Sequence, residues 1–344
     1  MAGRRKFLKI AGATGIAGLT GLAGCTGDGG DGDGTESGGS GTTSGTTAGT
    51  TESGPTDLTF TLTPAESDVD VQQQYQPMFD YLESEADVSI TSSVAADYAA
   101  VYSSLESGQT DVADAAPAIA IQSADNDVAE VAGIRIAYGA AKYFSLLTTT
   151  PDSDIEQLSD LEGETVAFAD RLSTSGSIFP LYMLKQAGLD TGGAPNGTPN
   201  DFEGQWSDHS QARETLINRD PVKAAGTGAF STAPHVPKDQ FPQQFLDMSA
   251  ENDGDLGTES PELQLLQCSN PIPRAPILIR SGLDETVKSD VTDALLNATE
   301  EDLINEDLSD DQQLWFTGLS EGSVEDYQPV RDAFEELGVE LGNA

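Results

Sequence analysis

The chain is poor in positive charge, in histidine and in cysteine: 344 residues hold 16 Lys and Arg against 58 Asp and Glu, with 2 His and 2 Cys. So few basic groups, none of them clustered in the body of the chain, exclude a protein that grips nucleic acid through its phosphates. With His209 and His235 as its two histidines, the chain offers no zinc site of Cys/His spacing. A site built only of carboxylates stays open, and neither metal nor cofactor is expected. Long hydrophobic runs are also missing. The longest, the Gly/Ala/Leu stretch from Ile10 to Ala23, falls short of the roughly 20 residues a membrane-spanning helix needs.

That short run sits in a recognisable context. Arg4-Arg5-Lys6-Phe7-Leu8-Lys9 precedes it and Leu22-Ala23-Gly24-Cys25 follows it, so residues 1–24 read as a twin-arginine-type export signal cut before a lipid-bearing Cys25. Cys268 is then left alone, and no internal disulfide is possible. Residues 25–56 are almost wholly Gly, Thr, Ser, Asp and Glu, which bury nothing and cannot offset the entropy of ordering. A coil of this kind reaches roughly 30 Å. The expected location is extracytoplasmic, on the outer face of the cell membrane, held there by the lipid on Cys25. The net charge of −42 is spread along the chain rather than blocked in a tail, the pattern of a protein adapted to high salt.

Residues 57–344 carry the folded body, long enough for two lobes. Leu58-Thr59-Phe60-Thr61-Leu62 reads as a strand, and Tyr75, Met78, Phe79 and Leu82 recur at helical spacing before a strand that starts at Val88. Asp97 is placed to cap a helix that buries Val101, Tyr102 and Leu105, and Gly108 to end it before a strand at Asp111–Ala113. The alternation restarts at Thr165–Ala169, and later helices are marked by Val287, Val291 and Leu295 and by Tyr327, Val330 and Phe334. Such alternation implies an α/β fold with mostly parallel sheets flanked by helices.

Between the strand at Thr165–Ala169 and a helical pattern from Ile178 to Ala187 lies Asp170-Arg171-Leu172-Ser173-Thr174-Ser175-Gly176-Ser177. Three successive hydroxyls at a helix entrance, with free backbone N–H groups and the positive end of the helix dipole, make an oxyanion cradle that needs no lysine. The same residues also suit a plain serine cap on a crossover helix.

Several segments together resemble the phosphate/phosphite/phosphonate substrate-binding proteins of ATP-driven importers, as a lipoprotein of haloarchaeal type. They are Asp97-Tyr98-Ala99-Ala100-Val101, Ser107-Gly108-Gln109-Thr110-Asp111-Val112-Ala113 with Ala116-Pro117, Tyr138-Gly139 with Tyr143-Phe144-Ser145, Ser173-Thr174-Ser175-Gly176, Asp208-His209-Ser210 and Ile272-Pro273-Arg274. The resemblance implies a two-lobed clamshell of the type II periplasmic-binding-protein class. Residues 57–150 and 269–344 would form one lobe and 151–268 the other, with Tyr143–Thr149 and Pro276–Arg280 as crossing strands. It implies a small oxyanion in the cleft, a permease and its ATPase as partners, and a monomer without enzymatic activity.

Carried over by residue, the resemblance puts the anion on Ser173, Thr174, Ser175 and Gly176, with Tyr98, Tyr143 and His209 around it. Each has a plainer reading: core packing for Tyr98, an ordinary hinge aromatic for Tyr143, a capped surface residue for His209. Asp220-Pro221-Val222-Lys223-Ala224 places a lysine where the family has an aspartate, so Lys223 would favour inorganic oxyanions over amine-bearing phosphonates, unless it points outward or pairs with an acid. Ser175, His209 and Asp208 are also the residue types of a hydrolase triad, but no Gly-x-Ser-x-Gly elbow surrounds the serine. A ligand-sensing lipoprotein would share the fold.

Overall fold

The computed structural model describes residues 54–65, 67, 70–137, 139–252, 256–304, 313–314 and 316–339. The expected signal, the lipidated Cys25, the linker up to residue 53, and Tyr138 lie outside the described residues.

From its start the chain alternates as its periodicity implies: β1 (Thr56–Leu62), α1 (Val71–Glu85), β2 (Val88–Val94), α2 (Tyr98–Glu106), β3 (Val112–Asp114), α3 (Pro117–Asp125) and β4 (Ala129–Ile136). Local chemistry sets the ends. Asp70 caps α1 by accepting from the Gln73 amide, Asp97 caps α2 through the Ala100 amide, and Gly108 stops α2 at φ +72°, a conformation other residues adopt at a cost. The chain then crosses through β5 (Lys142–Tyr143) into β6 (Ser145–Thr149), β7 (Thr165–Phe168), α4 (Phe179–Gln186), β8 (Glu203–Trp206), α5 (His209–Asn218), β9 (Val222–Gly228) and β10 (Gln264–Cys268). It returns through β11 (Ile272–Pro273) to β12 (Pro276–Arg280), the helix Glu285–Asn297, β13 (Gly318–Ser320) and the helix Gln328–Leu337.

These strands build two sheets, one per lobe. The first has six strands in the order β13-β4-β12-β3-β1-β2, the second five in the order β10-β6-β9-β7-β8, and β5 and β11 pair with each other between them. β1 is parallel to β2 and β3, and β7 is parallel to β8 and β9. β12 and β6, each entered directly after a crossing, run antiparallel to both their neighbours. β13 likewise opposes β4. Most strands of each sheet therefore share one direction, and the fold is an α/β clamshell with helices on the sheets.

The crossings differ from the expectation. β6 and β12 were expected to span the lobes, but β6 pairs wholly within the second sheet and β12 wholly within the first. The crossing is the two-residue ladder Ile272 to Tyr143 and Pro273 to Lys142. The first crossing thus precedes residue 145 rather than following residue 150. Two buried arginines brace it reciprocally: Arg135 Nε donates to the Ala275 carbonyl at 2.9 Å, and Arg274 Nε to the Ala140 carbonyl at 2.8 Å.

Leu58, Phe60 and Leu62 pack with Tyr75, Met78 and Phe79 on one side of the first sheet, where the Phe60 and Phe79 rings lie 5.1 Å apart. Each such side chain is worth about 1.5–3 kcal/mol when fully buried. A second core runs without a break from Val101, Leu105 and Ile119 of the first lobe to Phe168, Ile178 and Phe179 of the second. The lobes are closed on one another. No helix among the described residues is long and apolar enough to cross a membrane.

Candidate ligand-binding site

The cleft lies where strands end and helices begin, the region in which α/β sheets expose free N–H groups. β7 leads into Asp170–Ser173, and the chain then makes one wide turn, Thr174–Ile178, closed by i to i+5 bonds, before continuing as α4. Such turns inside helices recur at functional sites. Ser173 caps it: its Oγ accepts from the Gly176 amide at 3.1 Å. Gly176 fits here because a Cβ would stand 2.3 Å from Ala169 Cβ and 2.6 Å from His209 Cε1. The glycine's part is thus the close approach of the His209 ring, and its amide is committed to Ser173.

His209 opens α5 behind Asp208, which caps the helix through the Gln211 amide at 2.8 Å. Its Nδ1 accepts from the Gly228 amide at the end of β9, 2.9 Å away, so the ring proton resides on Nε2, which donates to Ser173 Oγ at 3.1 Å. Burial, with Arg213 adding like charge, lowers the His209 pKa to about 3, so the ring is neutral in any physiological medium. Phe230 packs edge-on against it at 4.8 Å.

Two phenols complete the arrangement. Tyr98 lies beside Ser173 and Tyr143 beside Ser175. Burial pushes the Tyr143 phenol up to about 12, and burial with the nearby Asp170 carboxylate raises Tyr98. Both remain O–H groups. Thr174 Oγ1 accepts from the Ala118 amide, 3.1 Å away across the cleft, and keeps its proton too.

Seven of the residues singled out in the sequence therefore meet at one place: Tyr98, Tyr143, Ser173, Thr174, Ser175, Gly176 and His209. All but Gly176 carry polar side chains that are almost fully buried. Lys223 does not join them. It is the second residue of β9, five residues before Gly228, roughly 17 Å away at strand rise. Its ammonium lies 3.4 Å from Asp154 Oδ1 on a half-exposed surface. The reason is strand direction: β9 is parallel to β7, so the site gathers at their C-terminal ends while Lys223 is at the opposite end. The triad reading fails on geometry as well. Nε2 of His209 faces Ser173 rather than Ser175 and carries the proton a base would have to lack, and Asp208 binds its own helix.

The sequence reading missed Asp170, whose Oδ2 lies 3.5 Å from the Tyr98 amide of the opposite lobe and whose carboxyl burial pushes up. It also missed the buried ion pair Asp114–Arg135 at 2.6 Å, with Tyr75 bound to Arg135 at 2.7 Å. Burial of a charge is invisible in sequence when its partner lies on another strand. No group of three or more His, Cys, Asp or Glu side chains able to hold a metal forms among the described residues.

The family model described as ABC transporter, phosphonate, periplasmic substrate-binding protein matches residues 60–327, most of the chain and all of this site. The chain belongs to this family. It is similar to the phosphonates-binding periplasmic protein of Escherichia coli, with 24% identity over 249 residues, covering 70% of this chain and 65% of that protein. It is also similar to the phosphate-import protein PhnD of Mycolicibacterium smegmatis, with 31% identity over 144 residues, 41% of this chain and 45% of that one. The chain thus spans less than two thirds of the length of either relative. Among solved structures, PhnD1 of Prochlorococcus marinus in complex with methylphosphonate superposes with a TM-score of 0.62 at 13% identity, covering 83% of this chain and 99% of that one. That likeness establishes the type II periplasmic-binding-protein fold.

Proposed function

We propose that this family member is the extracytoplasmic solute receptor of an ATP-driven importer, capturing a phosphate-, phosphite- or phosphonate-type oxyanion between its lobes and handing it to the permease. It acts without catalysis or cofactor, as a monomer. The observation that carries this reading is the convergence of protonated, neutral donors from both lobes: Tyr98 from the first, Tyr143 from the crossing, Thr174 and the His209-backed Ser173 from the second. Such a set favours an anion and leaves its charge uncancelled by any lysine. With Lys223 paired at the far end of β9, the argument that it rejects amine-bearing phosphonates has no support. The ligand class therefore includes substituted phosphonates as well as inorganic oxyanions. Export and attachment through the lipid on Cys25 fit this role, since a tethered receptor stays near its permease.

The test is calorimetry in high salt with phosphate, phosphite, methylphosphonate, aminoethylphosphonate and sulfate. Saturable binding of at least one phosphorus oxyanion, well above sulfate, is expected. Absence of binding across the panel rejects the reading.

A further inference from the structure

Ser145 is the second residue after Tyr143 and opens β6. Its backbone is fully engaged: its amide donates to Ser269 Oγ at 2.9 Å, and its carbonyl accepts from the Ser269 amide at 2.9 Å. Its side chain is 0% exposed, yet its Oγ finds no hydrogen-bond partner among the described residues. A buried hydroxyl without a partner is costly, and native structures rarely keep one without a reason.

Position supplies the reason. Ser145 pairs in register with Gly228, the residue whose amide holds His209, so it stands at the cleft end of the sheet. Side chains alternate along a strand. Leu147, on the same face as Ser145, packs in the apolar cluster that holds Tyr143, Phe168 and Ile178, whereas Phe144 and Leu146 pack in the cluster on the other face. Ser145 Oγ therefore looks toward Tyr143 and the Thr174–Ile178 turn. Thr148, another unpartnered hydroxyl of this strand, lies on the opposite face and has no such outlook.

We propose that Ser145 is a further ligand-binding residue whose hydroxyl is satisfied by an oxygen of the bound oxyanion. The assignment rests on the cleft being the ligand site. It adds a fixed donor from the strand beneath the crossing to those on the helix entrance and the phenols. It also predicts an unusual pair of effects, because removing an unsatisfied hydroxyl relieves the free protein while depriving the bound one.

The experiment compares wild type, Ser145→Ala, Ser145→Cys and Ser173→Ala as full chains in high salt, using melting curves without ligand and calorimetry with inorganic phosphate and methylphosphonate. Ser145→Ala is expected to melt at or above the wild-type temperature and to bind the better of the two probes about tenfold or more weakly, as loss of one hydrogen bond to a charged group implies. Ser145→Cys, nearly the same size with a weak donor, is expected to fall between. Wild-type affinity in Ser145→Ala together with weakened binding in Ser173→Ala overturns the Ser145 assignment and leaves the proposed function standing. No binding of either probe by the wild type removes the function reading and this one with it.

Discussion

At His209 a single acceptor contact decides the chemistry of the ring. Because Nδ1 is held by the Gly228 amide, Nε2 must carry the proton, and the imidazole serves as a neutral donor that orients Ser173. Burial, with the like charge of Arg213 nearby, makes charging the ring costly, and its pKa falls to about 3 from 6.5. The linkage sign follows. Between those two values the unfolded chain binds a proton that the folded chain refuses, so the contribution of His209 to stability is intact above pH 6.5 and shrinks as the pH falls toward 3. The full difference is on the order of 5 kcal/mol. Melting curves from pH 7 to pH 4 in high salt are expected to show wild type losing stability faster than His209→Gln, since the glutamine cannot be charged. Parallel curves would mean that the ring is solvated or charged in the folded protein. Ligand affinity should show no histidine step between pH 5 and 8. Asp208-His209-Ser210 at a helix start marked this residue in the sequence, and the three hydroxyls marked the turn it packs against. The Gly228 amide, a backbone group, left no mark. Ser145 was legible only as one letter of a motif, because an unsatisfied hydroxyl is a property of packing.

At the scale of elements, helix α3 begins with a defect that the other lobe repairs. Its cap residue is Ala116, which has no side-chain acceptor, and Pro117 follows at the first helical position. The Ala118 amide is instead bonded by Thr174 Oγ1, from the turn that opens α4 in the second lobe. Closure of the clamshell is thus also the capping of a helix, and a cap of this kind is typically worth about 1 kcal/mol. Thr174→Val keeps the shape and deletes the acceptor, so the closed form should lose roughly that much relative to the open one, about fivefold in population. Small-angle scattering of the ligand-free protein in high salt is expected to show a larger radius of gyration for Thr174→Val than for wild type, with Thr174→Ser close to wild type. Equal radii for all three would confine Thr174 to ligand contact. The helices and interior strands were readable from periodicity because each buries a regular stripe. The crossing was not, since two-residue strands such as Lys142–Tyr143 carry no period. Lys223 was misplaced for a related reason: the letters of β9 reveal a strand but not which end faces the cleft.

For the molecule as a whole, the excess of 58 acidic over 16 basic residues must be reconciled with a folded body. Among the described residues several basic groups are already engaged in pairs, as Lys288 is with Glu130 and Glu285, Arg331 with Asp125, and Arg280 with Asp111. Most carboxylates therefore face water among their own kind, and the mutual repulsion opposes compactness. Salt relieves it by screening, with a Debye length of about 10 Å at 0.1 M and about 3 Å at 1 M. A second route exists, because excluded salts strengthen apolar burial in any protein. The two differ in shape: screening is nearly complete by about 1 M, whereas exclusion keeps acting as concentration rises. If repulsion dominates, the melting temperature in KCl should climb steeply up to about 1 M and then flatten. A straight rise into the multimolar range would assign the effect to exclusion, and a melting temperature indifferent to KCl would mean that the surface charge has no hold on the fold. If the anion is held, as proposed, by neutral donors sealed beneath this negative surface, affinity for methylphosphonate should vary little over the plateau while the melting temperature stays constant, and calorimetry across that range checks both together.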